Sequence, residues 1–371
     1  MGTGGDLLDW LGSDMSVAVM KKLKDPADLV RISSVSRAWR RFAVANSFCK
    51  ELCEELFPET SMFTGVDRSL DEDPMIGCSS ALERKNLERE HKIYACLVQS
   101  LLSPPVDKEC IRRPIAASST DNYPEESIGK TLQPCHNEGE GPSYWSSEGE
   151  SNTDVPETLT YCLSSRLCVI YEVNVHPFQA DFQMGSPIYS AKAVRFKLGY
   201  PKVPLSMGDE VLFELMPNDG AADNNYIWTY ISPEFPMMQQ NSLQVFKLPK
   251  PVLCIGGILQ IELLGRVQKQ EMDALYYICV CHVQVVGRPL QTFDVDINAH
   301  SRRCILKYLP ETENTPYHLR RSSDEAMDSS GWLSFATRIR QIRATRGWNR
   351  LILRTFLGND EESDDHVSDD E

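Results

Sequence analysis

From about Cys110 to Phe293 the apolar residues of this chain recur in short runs cut by proline and glycine, and no arrangement of helices accommodates that rhythm. The runs are Leu159–Leu163, Leu167–Val175, Ala193–Leu198, Glu210–Leu215, Tyr226–Ile231, Ser242–Leu248, Ile258–Leu264 and Tyr276–Val286. Pro201, Pro217-Asn218-Asp219-Gly220, Pro233 and Pro249-Lys250-Pro251 separate them. Regular spacing between turn residues, with hardly a helical stretch, predicts an antiparallel two-sheet sandwich over 110–293, its first and last strands near each other. In the run Cys168–Val175 the last five residues alternate apolar and polar, as for a sheet with one face on the core.

The first sixty residues follow a different period. Ser13 can cap a helix whose Met15, Ala18, Val19 and Leu23 fall at i, i+3, i+4 and i+8. Asp25, Pro26 and Asp28 form a second helix start, with an N-cap carboxylate, a proline at the first helical position and an acid in the first turn. Leu29, Ile32 and Val35 continue that apolar face. A third helix carries Trp39, Phe42 and Ala43, and a fourth Phe48, Leu52, Leu56 and Phe57 before Pro58. Four short helices bury little surface by themselves. Their exposed apolar side chains are covered either by the rest of this chain or by a partner.

The order Leu11, Ser13-Asp14-Met15-Ser16-Val17-Ala18-Val19-Met20, Leu23, Asp25-Pro26-Ala27-Asp28-Leu29-Val30-Arg31, Val35-Ser36-Arg37-Ala38-Trp39-Arg40 resembles an F-box. That module docks a protein onto the Skp1 adaptor of a cullin-based ubiquitin ligase. Family members usually have Leu-Pro where this chain has Leu11-Gly12, and a cysteine is common where Ser36 sits. The resemblance implies a Skp1-like adaptor as partner, and through it a cullin. It implies that Leu11, Met15, Val19, Leu29, Val35 and Trp39 supply much of the contact.

Between the two regions, residues 60–80 are loop-like, and Leu82, Leu87, Ile93, Tyr94, Leu97, Val98 and Leu101 predict a helix over about 80–102, ended by Ser103-Pro104-Pro105. The expected division is a helical module at 1–58, a helical linker at 59–109, the sandwich at 110–293, an extension at 294–357 and an acidic tail at 358–371. The fold class is α+β and multidomain. In the extension, Trp332, Phe335, Ala336, Ile339 and Ile342 form a helical stripe decorated by Arg338, Arg340, Arg343, Arg346, Arg350 and Arg354. Dense like charge in the tail predicts disorder. The tail can neutralise the arginines in cis. Otherwise the arginine helix docks an acidic partner or carries a nuclear-import signal.

A second resemblance lies at the start of the sandwich. Ala117-Ser118-Ser119-Thr120, Asn122-Tyr123-Pro124, Ile128-Gly129 and Tyr144-Trp145-Ser146-Ser147 look like the opening of a discoidin-type, galactose-binding-like jelly roll. That family binds through loops at one end and often closes with a cysteine pair. Cys110 and Cys281 stand in suitable positions, but a reducing compartment argues against a bridge. The resemblance makes Tyr144 and Trp145 a candidate target-binding loop, where aromatic rings stack on a sugar or a peptide. The alternative is that Trp145 anchors the edge of the sandwich. The segments Asp181–Tyr189 and Asp219–Tyr226 are further candidate rim loops.

A formal charge of −15 argues against nucleic-acid phosphates and acidic membranes as partners. No signal peptide or membrane span is expected. Gly2 is not read as a myristoylation site, because Asp6 stands where that motif wants Ser or Thr. The twelve cysteines include no Cys-x-x-Cys pair, and Cys279 and Cys281 read as small buried neighbours on one strand face. Asp294-x-Asp296-x-Asn298 starts like a calcium loop, but Ala299 and Ile305 replace its glycine and glutamate. No phosphate loop, zinc helix or nucleophile elbow is present. The expectation is a non-catalytic protein without metal or cofactor, working in the cytoplasm or nucleus. It would be the substrate-recognition subunit of a Skp1–cullin–F-box ubiquitin ligase, its sandwich capturing an unknown target. The alternative is a glycan- or peptide-binding protein whose helical N-terminus is only structural.

Overall fold

The computed structural model describes residues 7–67, 79–103, 109–133, 136–137, 141–203, 225–298 and 303–309. The chain divides into two compact units, one built on Met1–Leu52 and Ile76–Ser103, the other on Cys53–Met75 and Pro104–Asn314. The arginine-rich stripe, the acidic tail and the run 210–215 lie outside the described residues, as does most of the 219–226 loop.

The helical unit starts earlier than Ser13. Helix α1 (Leu7–Met20) is two helical pieces joined at Gly12, where φ is 72° and ψ is 166°. That combination is open essentially to glycine alone. Helix α2 (Pro26–Ile32) begins as its sequence dictates: the Asp25 carboxylate accepts the Ala27 N–H at 2.9 Å, satisfying one of the helix's orphan donors. In α3 (Arg37–Ala45) the cap is Ser36, whose hydroxyl accepts the Trp39 N–H at 3.2 Å. Helices α4 (Phe48–Leu56) and α5 (Ser79–Leu102) follow.

Both α2 and α3 pack against α5. Leu29, Val30, Ala43 and Val44 are buried, and so are Ile93, Tyr94, Leu97 and Val98 of α5. The helix expected as a linker is therefore a core element of the helical unit. Its apolar stripe finds its partners some fifty residues upstream rather than in its own neighbourhood. A histidine sits among the polar groups of this core. His91 is 3% exposed, with Nε2 at 3.5 Å from the Ser33 hydroxyl and 3.8 Å from Cys49 Sγ. Burial, and then the neighbouring Lys92 charge, lower its pKa to about 4, since both disfavour the charged ring.

The second unit opens with β1 (Gly65–Val66) and β2 (Ile111–Ala117), then the short pieces β3 (His136–Asn137), β4 (Gly141–Pro142) and β5 (Trp145–Ser146). The long strands β6 (Glu157–Leu163) and β7 (Leu167–Gln179) come next, with β8 (Ile188–Tyr189) and β9 (Ala191–Pro201) behind them. After these lie β10 (Tyr226–Ile231), β11 (Phe235–Pro236), β12 (Gln244–Ile255) and β13 (Ile258–Arg266). The last are β14 (Gln268–Lys269), β15 (Tyr276–Tyr277), β16 (Cys279–Pro289), β17 (Phe293–Asn298) and β18 (Arg303–Tyr308).

One sheet has the order β10-β9-β13-β6-β2 and the other β12-β7-β16-β5, every pair antiparallel. Between them lies the core, with Leu159, Tyr161, Phe196 and Ile261 from the first sheet meeting Ile170, Val173, Phe246 and Val285 from the second. The sandwich is antiparallel as its rhythm predicts. Its ends meet where the Cys110 N–H donates to the Val285 carbonyl at 3.3 Å.

Two boundaries depart from the sequence reading. Pro249-Lys250-Pro251 does not end a strand, since β12 runs through it with a register shift between Lys247 and Val252. It is an edge strand, where proline's missing N–H breaks no ladder. Nor does the unit stop at 293. Strands β17 and β18 form a hairpin, and β1 adds to it in parallel, Gly65 opposite Ile305. The alternation in Asp294-Val295-Asp296-Ile297-Asn298 is that of a strand: Val295 is buried, while Asp294 and Asp296 face Arg166 at 3.8 Å and Lys307 at 3.4 Å.

Candidate functional site

Apolar side chains are left uncovered in both units, and two of these surfaces bear on function. On α1, Met15 and Val19 stand one turn apart and are 57% and 45% exposed. Val35, in the turn between α2 and α3, is 64% exposed. Leu11 and Trp39 are half-buried. Leu29 does not join them. At 2% exposure it belongs to the core of the helical unit, because α2 turns that face inward as it packs on α5 and α3. Leu7 and Trp10, the latter 80% exposed, were absent from the set expected to touch a partner. Their three-residue spacing ahead of Gly12 is the signal that α1 begins before Ser13.

In the sandwich, the loops 118–127, 147–156, 180–187 and 267–275 gather at the end where β6 starts and β7 finishes. Trp145 is not on their rim. It is fully buried, and its Nε1 donates to the Ser119 carbonyl at 3.0 Å. A ring wholly enclosed has no face for a ligand, so Trp145 anchors the sandwich instead. Around it lies a buried polar frame. Arg266 pairs with Glu157, their side chains 1% and 4% exposed. The Glu157 carboxylate also accepts from the hydroxyls of Ser118 and Ser119. The Arg266 guanidinium donates to Ser147 Oγ at 3.0 Å and to the carbonyls of Glu148 and Tyr276 at 2.9 Å. Buried charges persist only when paired and well hydrogen-bonded. The Ser-Ser and Trp-Ser-Ser segments therefore tie three loop roots to one ion pair.

Tyr144 is half-buried and has one face occupied, stacked on Phe178 with centroids 3.8 Å apart and rings 12° from parallel. Its hydroxyl donates to Glu126 Oε1 at 2.6 Å, and burial, with this bond to a carboxylate, raises its pKa. Beyond it, Phe182 and Met184 are 69% and 92% exposed, and Met272 on the neighbouring hairpin is 92% exposed. Burial, then the charges of Glu126, Asp273 and Glu148, push the Asp121 carboxyl upward, each disfavouring its ionised form.

Cys110 and Cys281 are not bridged by a disulfide: Cys281 directs its Sγ at the Ser143 carbonyl, while Cys110 lies against Cys168. Cys279 and Cys281 are both buried in one small apolar cluster. Among the described residues, no group of three or more His, Cys, Asp or Glu is placed to hold a metal ion. Among the described residues, no helix is long and apolar enough to cross a membrane.

No protein-family model matches the chain. Solved structures of low sequence identity are similar to the sandwich region. One is the family 32 carbohydrate-binding module of Clostridium perfringens NanJ in complex with galactose, 10% identical, at TM-score 0.28 over 47% of this chain and 98% of that one. Another is an F5/8 type C domain from Bacteroides fragilis, 12% identical, at TM-score 0.29 over 47% of this chain and 91% of that one. By sequence, an F-box protein of Arabidopsis thaliana is 46% identical over 315 residues, 82% of each chain. With that identity over most of both chains, and the capped helices of 11–40 in place, the chain belongs to the F-box protein family.

Proposed function

We propose that this protein is the substrate-recognition subunit of a Skp1–cullin–F-box ubiquitin ligase. In this reading the helical unit docks on a Skp1-like adaptor, and the loop end of the sandwich holds the target. The observation that supports it is the exposed apolar set on α1 and the α2–α3 turn: Trp10, Met15, Val19 and Val35 stand out in a unit of short helices. Such side chains in a small helical unit mark an interface. The protein acts without an active site of its own. Held near a charged ubiquitin-conjugating enzyme, the target's lysines reach a high effective concentration, and proximity supplies the rate. The work would take place in the cytoplasm or nucleus, where such ligases operate.

The test is retention of a purified Skp1-like adaptor by the full chain. Replacing Trp10 and Met15 together with serine should weaken retention about tenfold or more, since buried anchors at such interfaces are worth roughly 1–2 kcal/mol each. Both side chains are exposed, so helicity should be unchanged. A wild-type chain that retains no adaptor, or a double variant that retains it fully, would overturn the reading.

A further inference from the structure

The loop end of the sandwich is crowded with carboxylates. At the loop end, segments 118–127, 147–156, 180–187 and 267–275 hold nine carboxylates against a single amine, Lys269. At the other end, where β6 finishes, Arg112, Arg113 and Arg166 surround Cys162. Crowding like charges works against the compact state, so a cluster of this kind calls for a compensating use.

Some of the loop carboxylates are structural. Glu126 accepts from Tyr144, Asp273 from Tyr277, and Glu150 from the N–H groups of Ser151 and Asn152. Glu148, Asp181 and Glu271 are exposed, and the fold assigns their side chains no hydrogen bond among the described residues. The same end displays large apolar side chains. Phe182 lies 6.3 Å from Phe178, at the edge of the Tyr144–Phe178 stack, and Met184 projects beyond it. Apolar tips rimmed by charge of one sign make a surface that selects a partner of the opposite sign.

We infer that this end receives a lysine- and arginine-rich segment of the target protein, with a large apolar side chain of that segment seated against Phe182 and Met184. The inference rests on the proposed role of the sandwich as target receptor and names the chemistry it recognises. Glycans are disfavoured as occupants, because Tyr144 has given one face to Phe178 and Trp145 has none free. Basic side chains gain from the field of many carboxylates at once, which also steers their approach.

The probe is a labelled peptide of about twelve residues, mostly Lys and Arg with two Phe, titrated into the full chain by fluorescence polarisation. Raising salt from about 50 to about 300 mM should weaken binding about tenfold. The combined variant Glu148→Gln, Asp181→Asn, Glu271→Gln should weaken it several-fold. So should Phe182→Ser with Met184→Ser, which replaces exposed side chains and should leave the melting curve in place. A counterpart peptide with Glu for every basic residue should not bind. Equal binding of that acidic peptide, no binding of the basic one, or undiminished binding by the carboxylate variant would each overturn the inference. Tight binding of a glycan panel, lost in the Phe182/Met184 variant, would also overturn it while leaving the sandwich a receptor. Adaptor retention reads the earlier proposal separately, since none of these substitutions lies in the helical unit.

Discussion

Buried ionisable side chains carry the pH response of a fold, and His91 is placed to set that of the helical unit. Its pKa in the folded chain, about 4, lies below the ordinary value of 6.5. Between those values the unfolded chain binds a proton that the folded chain does not. The stabilising effect of a neutral His91 is therefore complete above about pH 6.5 and is lost as pH falls towards 4. A shift of this size corresponds to roughly 3 kcal/mol across the window. Urea denaturation followed by helical circular dichroism at about pH 7, 5.5 and 4.5 should show the helical transition losing stability stepwise. His91→Gln removes the titration and should flatten that slope, whatever it does to stability at neutral pH. A wild-type helical transition independent of pH over this range would show that His91 is not desolvated as described.

At the level of elements, α1 holds the sharpest local constraint. Gly12 sits at a positive φ with an extended ψ, and a Cβ there would touch nothing within 4 Å. Strain in the backbone, not crowding, is thus the cost of any replacement. Gly12→Ala should destabilise the helical unit by about 1–3 kcal/mol, read as a lower denaturation midpoint with unchanged slope. Gly12→Pro, the residue usual at this place in F-boxes, forces φ to a negative value and must redirect Leu7–Leu11. The helix start at Pro26 was legible because capping is local: Asp25 does there what any such residue does. The sandwich strands were legible because alternation is local to each strand, whereas proline marks a break only where tertiary context leaves the strand no edge to occupy, as Pro249 and Pro251 inside β12 show. Illegible were features whose partners lie far away in sequence. The role of α5 depends on α2 and α3, and β17 passed for a failed calcium loop because its alternating acids pair elsewhere, Asp296 with Lys307 on β18 and Asp294 with Arg166 in the turn before β7. For the site, exposure at Met15, Val19 and Val35 followed from the stripe, whereas Leu29 lay on the same stripe but faced α5. Trp145 shows the same limit, since the motif marked an important residue without saying whether it faces in or out.

For the whole molecule, the chain passes from the helical unit into the sandwich unit, returns through α5, and enters the sandwich again. A cut near residue 58, at the apparent end of the N-terminal module, would therefore separate neither part cleanly. A chain beginning at Cys53 should keep its β-sheet circular dichroism. It should also expose Ile93, Tyr94, Leu97 and Val98 of α5, bind an apolar dye and self-associate. A monomeric, dye-silent chain of that kind would show that α5 needs no partners from α2 and α3. The pairing of β1 with β18 carries this interleaving further. The Thr64 hydroxyl bonds the Cys304 carbonyl across 240 positions of sequence. A ribosome adding about 5–20 residues per second needs roughly 10–50 s to cover that distance. Throughout that interval the nascent chain carries a strand with an open edge, while the partner that will close it has not been translated. Emergence of β18, rather than of the first helices, is when the edge left open by β1 can first be closed.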